Sequence, residues 1–211
     1  MPALRKYPFD DNYFEIIDTE DKAYYLGLLL ADGNVYSARN RIQITLVKKD
    51  EYILKKFAKC IKYKGNIYLD RGKYSKMILP SKKMCSDLTK LGCHPRKGKG
   101  DTPATLPDID DKLVHHLIRG YFDGDGHISK NKRLKNPYYN INITGSVPLI
   151  TKVKGILEDN QIKVSKLYTR TGKTSVNLVV KNKSVGDFVK YLYKDAKHYL
   201  KRKEKIYEGT R

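Results

Sequence analysis

Cysteine, acidic side chains and long apolar runs are all scarce in this 211-residue chain, and each scarcity narrows what it does. The three cysteines, Cys60, Cys85 and Cys93, show no C-x-x-C spacing, so reduced thiols are expected rather than a disulfide framework. Cys93 and His94 are adjacent, but no second ligand pair at suitable spacing completes a zinc site. The run "YYLGLLLA" (residues 24–31) is far too short to cross a bilayer, so no membrane partner is expected. No charged, apolar and small-residue leader pattern opens the chain, which points to an intracellular protein.

Acids number 23 against 43 Lys and Arg, a formal net charge of +20. The excess runs through both halves instead of one tail, so it belongs to a folded surface. A nucleic-acid backbone suits such a surface, because each neutralised phosphate releases counterions. A merely soluble basic protein is the bland alternative. Hydrophobic residues make up 40%, enough for a packed core.

The chain repeats itself. "YYLGLLLADGNVY" (24–36) and "HLIRGYFDGDGHIS" (116–129) superimpose with Gly27 on Gly120, Ala31 on Gly124, Asp32 on Asp125 and Gly33 on Gly126. An alternating segment follows each copy, "RIQITL" (41–46) and "YNINIT" (139–144), as half-buried strands with one polar face. Amphipathic helices come next, with Ile53, Leu54, Phe57 and Ile61 on one face, and Ile150, Val153, Ile156 and Leu157 on the other's. Further strands are expected in "GNIYLD", "SKMIL", "VSKLYTR" and "TSVNLVV", and further helices near 82–91 and 184–194. The expected organisation is an arm at 1–17, a first half at 18–91, a linker at 92–109, and a second half at 110–211 with a basic C-terminal helix.

Both copies begin as helices, capped by Asp18 or Thr19 and by Asp110, and Gly33 and Gly126 stand where left-handed C-terminal caps are expected. Gly27 with Ala31, and Gly120 with Gly124, form small-x-x-x-small stripes along which two helices can approach closely. Packing through those stripes would bring Asp32 and Asp125 together, where the helix dipoles add negative potential. Such a pair makes sense around a divalent cation, and oxygen ligands with room for water suit magnesium and phosphodiester hydrolysis. Asp-Gly is also an ordinary turn, but two copies in register within a basic chain outweigh that reading. A calcium-binding loop does not fit "GYFDGDGHIS": with Asp123 and Asp125 in ligand positions, Tyr121 and Lys132 fall where acids are needed.

"YLGLLLADG" and "IRGYFDGDG" resemble the two signature helices of the LAGLIDADG homing endonucleases in their single-chain form. The resemblance covers nearly the whole chain from residue 18, although Leu30 replaces an acid common in the first motif. It implies an α+β fold of two pseudo-symmetric αββαββα half-repeats, forming a saddle of antiparallel sheets around a two-helix interface. It makes Asp32 and Asp125 the metal-binding catalytic carboxylates, with backbone carbonyls of Ala31 and Gly124 as further ligands. It also points to Gln43 and Asn142 beside the site, and to Lys82 and Lys183, with Lys181 as an alternative to the latter.

The implied function is metal-dependent cleavage of both strands of a long asymmetric DNA site, leaving 3′ overhangs. Mg2+ is the expected cofactor; Mn2+ would substitute, and Ca2+ would bind without supporting cleavage. Polar strand faces suited to bases and phosphates carry Asn34, Tyr36, Arg39, Arg41, Gln43, Asn66, Tyr68, Arg71 and Lys76 in the first half. The second half carries Ser129, Lys130, Lys132, Arg133, Tyr138, Asn140, Lys166, Tyr168, Arg170 and Asn177. A monomer is expected, working in the cytoplasm or nucleoid of a bacterium or phage-infected cell, or in an organelle. The alternative is a non-cleaving binder on the same scaffold, an intron RNA maturase or a transcription regulator.

Overall fold

The computed structural model describes residues 7–94, 102–131, 138–169, 174–180 and 182–208. The first half runs α1 (Glu20–Asp32), β1 (Gly33–Tyr36), β2 (Arg41–Val47), α2 (Glu51–Cys60), β3 (Tyr68–Asp70), β4 (Tyr74–Pro80) and α3 (Lys82–Lys90). The second runs α4 (Asp111–Asp125), β5 (Gly126–Asn131), β6 (Tyr138–Gly145), α5 (Val147–Asp159), β7 (Tyr168–Thr169), β8 (Val176–Val180) and α6 (Val185–Tyr193), and α7 (Lys201–Glu208) follows. Each half builds one antiparallel four-stranded sheet, and the orders β1-β2-β4-β3 and β5-β6-β8-β7 are the same topology twice. The expected α+β double repeat is therefore present.

Alternation decides which face of each sheet is buried. Val35, Ile42, Ile44, Leu46, Met77 and Leu79 point into the first core, and Ile141, Ile143, Leu178 and Val180 into the second. The amphipathic helices close those cores with Ile53, Leu54 and Phe57, and with Leu149, Ile150, Val153 and Leu157. The segment expected as an arm is partly core as well: Phe9, Tyr13 and Phe14 are buried, and Tyr13 and Phe14 pack on Phe57.

Helices α1 and α4 are the axis of the molecule. In α1 every residue from Ala23 to Leu30 is buried, as befits a helix surrounded by protein. The two glycine stripes meet face to face. A Cβ at Gly27 would lie 2.0 Å from the Leu117 carbonyl oxygen, and one at Gly120 would lie 2.0 Å from that of Tyr24. Asp110 caps α4 by accepting from the Lys112 N–H, whereas Thr19 at the head of α1 makes no side-chain cap bond.

Gly33 and Gly126 correct the sequence reading: both are extended, with φ of −80°, and no left-handed cap forms. Glycine is required there by proximity. A side chain would strike Leu29 in one case and the Phe122 ring in the other, because each strand leaves its helix folded tightly against the last turn.

Buried charge ties the pair at its other end. Arg119 pairs with Glu20 at 2.6 Å and donates to the carbonyls of Leu192 and His198. Its Nη1 also donates to His116 Nδ1 at 2.7 Å, so that imidazole must be neutral. Burial first, then Arg119, push the His116 pKa down to about 3. Because the folded value lies below the unfolded one, the stability His116 supports is full above pH 6.5 and drains as pH falls towards 3. Asp123 works in the opposite sense, since burial raises its pKa to about 6. The melting temperature of His116→Gln should therefore fall less than that of the wild type on acidification through this window. Parallel curves would show that His116 is not the titrating group.

Candidate metal and nucleic-acid site

The helix pair ends in the two acids. A Cβ built on Gly124 would sit 2.3 Å from the Ala31 Cβ and 3.0 Å from Asp32 Oδ2, so the Asp32 carboxylate lies against the peptide that leads into Asp125. Asp32 is half-buried and Asp125 exposed, which leaves the junction open to a ligand. Neither helix carries a basic residue in its last turn, so two carboxylates and two helix C-termini share one region.

Tyr121, which sequence reading did not assign to the site, lies between Asp125 and β6. Its single hydroxyl proton lies between two acceptors, the Thr144 carbonyl at 2.7 Å and the Asp125 carboxylate. Burial, and then the neighbouring Asp125 and Asp32 charges, push its pKa well up, so it remains a neutral donor.

The donors gathered here are carboxylate and carbonyl oxygens, and among the described residues no group of three or more His, Cys, Asp or Glu forms anywhere. Two acids with the terminal carbonyls of Ala31 and Gly124 match a hard divalent cation that keeps part of its water, and do not match zinc. On donor chemistry the residues fit magnesium.

A cation comes from an unforeseen place. Lys203 of α7 is 4% exposed, and its Nζ donates to the carbonyls of Phe122 and, at 2.6 Å, Gly126, the residues flanking the end of α4. Burial lowers its pKa to about 8, against the attraction of Asp123, Asp32 and Asp125. Asp123 is fully buried, and its Oδ2 accepts from the Tyr24 hydroxyl at 2.8 Å and the Leu200 N–H at 2.7 Å.

Comparison with known proteins bears on this geometry directly. Residues 113–193 match the family model described as LAGLIDADG-like domain. The whole chain carries the fold of the single-chain LAGLIDADG enzymes. It is similar to the I-LtrWI LAGLIDADG homing endonuclease bound to target DNA, at a TM-score of 0.59 and 13% identity over 94% of this chain and 88% of that one. The LAGLIDADG homing endonuclease I-GzeII in complex with its DNA target gives 0.61 and 13%, over 88% and 87%. I-SmaMI bound to uncleaved DNA in the presence of calcium ions gives 0.60 and 12%, over 91% and 89%. No curated protein sequence matches the chain.

Within the LAGLIDADG fold the strand registers rank the remaining candidates. Gly33 pairs with Ile44 and Gly126 with Ile143, so the acids enter their sheets beside Thr45 and Thr144. Gln43 and Asn142 are on the same polar faces but roughly 7 Å further along the strands. Thr144 lines a cavity of about 610 Å³ with Asp125, Ala31 and Tyr121, and is thus the closer neighbour. Gln43 and Asn142 hold Thr45 and the Tyr168 hydroxyl, each at 3.4 Å.

Lys82 is exposed at the start of α3, beyond Pro80, which pairs with Arg41 at the end of the sheet away from Asp32. Its opposite number, Lys183, is exposed in the turn Asn182–Ser184 before α6, at the Val180 end of β8, and Val180 pairs with Ile141. Register thus brings neither lysine to the acids. Lys181 falls outside the described residues.

The polar faces hold most of the expected contact residues. Asn34, Tyr36, Arg41 and Gln43 share one face of the first sheet, where Arg41 lies 4.8 Å from the Tyr36 ring centre. Lys76 shares that face but is paired to Asp70 at 2.9 Å. Tyr68 is exposed opposite Lys76, and Arg39, Asn66 and Arg71 are exposed in turns and loops. In the second sheet Ser129 and Asn140 face the same side as Asn142, with Tyr168 exposed and Lys166 exposed just before it.

Two residues depart from expectation. Lys130 pairs with Tyr139 on the alternate face, the one Ile128 and Ile141 share, and covers the Tyr139 ring. Asn177 lies on the polar face but is 3% exposed, spent on Thr144 Oγ1 and the Tyr168 carbonyl. His127, opposite Asn142 and exposed, is a face residue that strand alternation alone would have found. Lys132, Arg133, Arg170 and the Tyr138 side chain lie outside the described residues.

Proposed function

We propose that this protein is a site-specific, divalent-metal-dependent DNA endonuclease that hydrolyses one phosphodiester in each strand of a long, asymmetric target and leaves 3′ overhangs. The observation that carries this reading is the meeting of Asp32 and Asp125 at paired helix ends, between two sheets with basic polar faces. Similarity to DNA-bound LAGLIDADG enzymes supports it, and a calcium-containing complex of one of them supports a divalent ion. Asp32 and Asp125, with the carbonyls of Ala31 and Gly124, would hold Mg2+, which supplies charge neutralisation at phosphate oxygens and acidifies water.

The chain's own groups do the rest. Lys203 offers a second positive charge beside the acids, and a lysine whose pKa is near 8 exchanges a proton readily at neutral pH. Tyr121 fixes the Asp125 carboxylate against β6. Asn34, Tyr36, Arg41, Ser129 and Asn140 read bases or track phosphates. Both motifs lie in one chain, so a monomer suffices, acting wherever target DNA resides in a bacterium, phage-infected cell or organelle. A pure binder, whether intron maturase or regulator, has no need to gather carboxylates against phosphates.

The test is a cleavage and binding assay on DNA spanning the vacant insertion site of the gene. Mg2+ or Mn2+ should support cutting of both strands, Ca2+ should support binding alone, and EDTA should stop cleavage. Affinity should fall by on the order of 10³ between about 50 and 200 mM salt if several phosphates are neutralised. Tight binding with no cut in any cognate site would leave the regulator or maturase reading standing instead.

A further inference from the structure

The C-terminal segment belongs to the second half by sequence, yet it is held from both halves. Glu20 Oε1 accepts from the N–H groups of Lys197 and His198, at 2.7 and 3.1 Å. Tyr52 receives the Lys201 N–H at 2.6 Å and donates to the Tyr199 carbonyl, and Asp50 pairs with Arg202 at 2.8 Å. From the second half, Arg119 Nε donates to the His198 carbonyl, and Asp123 accepts the Leu200 N–H. The segment thus crosses the helix pair as a strap, and α7 starts one residue after its contact with Asp123.

The matching position of the first half offers no carboxylate for such a contact. The repeat places Leu30 where the second half has Asp123, and Leu30 lines the cavity beside Pro103 and Ala104. A buried carboxylate is expensive, and its Oδ1 finds no hydrogen-bond partner among the described residues. Retaining an acid there calls for a reason beyond packing. The groups it orders supply one: Tyr24 from α1, the Leu200 amide at the head of α7, and three residues further on the Lys203 ammonium set against Phe122 and Gly126.

We propose that Asp123 is a positioning residue, the latch that docks the C-terminal strap so that Lys203 is held beside Asp32 and Asp125 during strand cleavage. The catalytic half of this proposal rests on the nuclease reading above; the structural half does not. The latch accounts for the second motif's extra aspartate, which binds no metal itself. It also makes the halves chemically unequal: the second anchors a cation through a buried acid, and the first has leucine at that place.

Metal-free, full-length protein tests the structural half through the reaction of Lys203 with an amine-acylating reagent, read by mass spectrometry. In the wild type Lys203 should be protected. Asp123→Leu removes the acceptor of two hydrogen bonds and should raise Lys203 acylation about 10- to 100-fold, whereas Asp123→Asn, which keeps an acceptor, should stay within about fivefold. Tyr24→Phe removes one bond from an otherwise intact latch and should give an increase of roughly fivefold, so the question survives if the leucine variant does not fold. Unchanged protection in a folded Asp123→Leu or in Tyr24→Phe overturns the latch.

Single-turnover cleavage and DNA affinity then test the catalytic half. Asp123→Leu and Lys203→Met should lose about 100-fold in rate with affinity within threefold, and Asp123→Asn should recover most of the rate. If Asp123→Leu exposes Lys203 yet cuts at the wild-type rate, the positioning role is overturned. If the wild type cuts no DNA, the nuclease reading fails, and acylation still decides whether Asp123 is the latch.

Discussion

Replacing Asp32 or Asp125 with asparagine should abolish strand cleavage while leaving the protein folded and able to bind its DNA. Asparagine preserves shape at both helix ends but withdraws the charge that a divalent ion requires. Loss of the charge stabilisation the ion provides corresponds to at least about 10³ in single-turnover rate, or roughly 4 kcal/mol of transition-state stabilisation. The same substitutions remove a like-charge contact at two helix C-termini, where negative charge is unfavourable by about 0.3–1 kcal/mol per helix. Melting temperature in the absence of metal should therefore hold or rise. Loss of cleavage together with a rise in stability is what a functional site produces; if the aspartates were structural turn residues, stability would fall instead. Cutting at the wild-type rate by both single variants would remove Asp32 and Asp125 from the mechanism.

Those two residues were legible because repetition exposes what a single copy hides. Gly27 over Gly120 and Ala31 over Gly124 predicted two helices in close contact, and the backbone approaches at both glycines bear this out. Period-two alternation likewise located the buried faces of β2 and β6. Where local rules were applied to a single residue they did less well. Gly33 and Gly126 read as left-handed caps, yet the conformation is extended and the demand is steric, set by the tight exit of each strand.

The basic C-terminal helix was legible, but the docking of Lys203 was not. In "YLKRKEK" four of the seven residues are basic, so composition cannot tell the buried lysine from its solvated neighbours. Its anchors are remote: Glu20 meets Lys197 across 177 positions, and Asp123 meets Leu200 across 77. Register, which only strand pairing reveals, explains the rest. It places Thr45 and Thr144 nearer the acids than Gln43 and Asn142, and turns Lys130 to the opposite face from Ser129. The same logic explains why Asp123 looked like a calcium ligand. Its spacing from Asp125 is right for a loop, but two residues along a helix point in different directions, one into the core and one out of it.

Alanine at Gly120 should unfold the protein more effectively than any change at the acids. Its Cβ would lie 2.0 Å from the Tyr24 carbonyl oxygen and 2.9 Å from the Leu28 nitrogen, both backbone atoms of a helix buried on all sides. No rotamer relieves that clash, so α1 and α4 must move apart, and every contact along the stripe loosens together. Overpacking of this kind costs about 3 kcal/mol or more, and at about 2–4 °C per kcal/mol for a chain of this size the melting temperature should drop by roughly 10 °C. Gly155→Ala is the matched control: it lies inside α5 with nothing within 4 Å of the added carbon, and should raise stability by about 0.5–1 kcal/mol. A surviving folded fraction of Gly120→Ala should also cut poorly with both aspartates intact, because the separation that relieves Tyr24 pulls Asp32 away from the Gly124 peptide. Equal melting temperatures for the two alanine variants would mean that the glycine stripe is not what sets the distance between the halves. The acids would then owe their meeting to the sheets, and the helix interface would be a passenger rather than the device that builds the site.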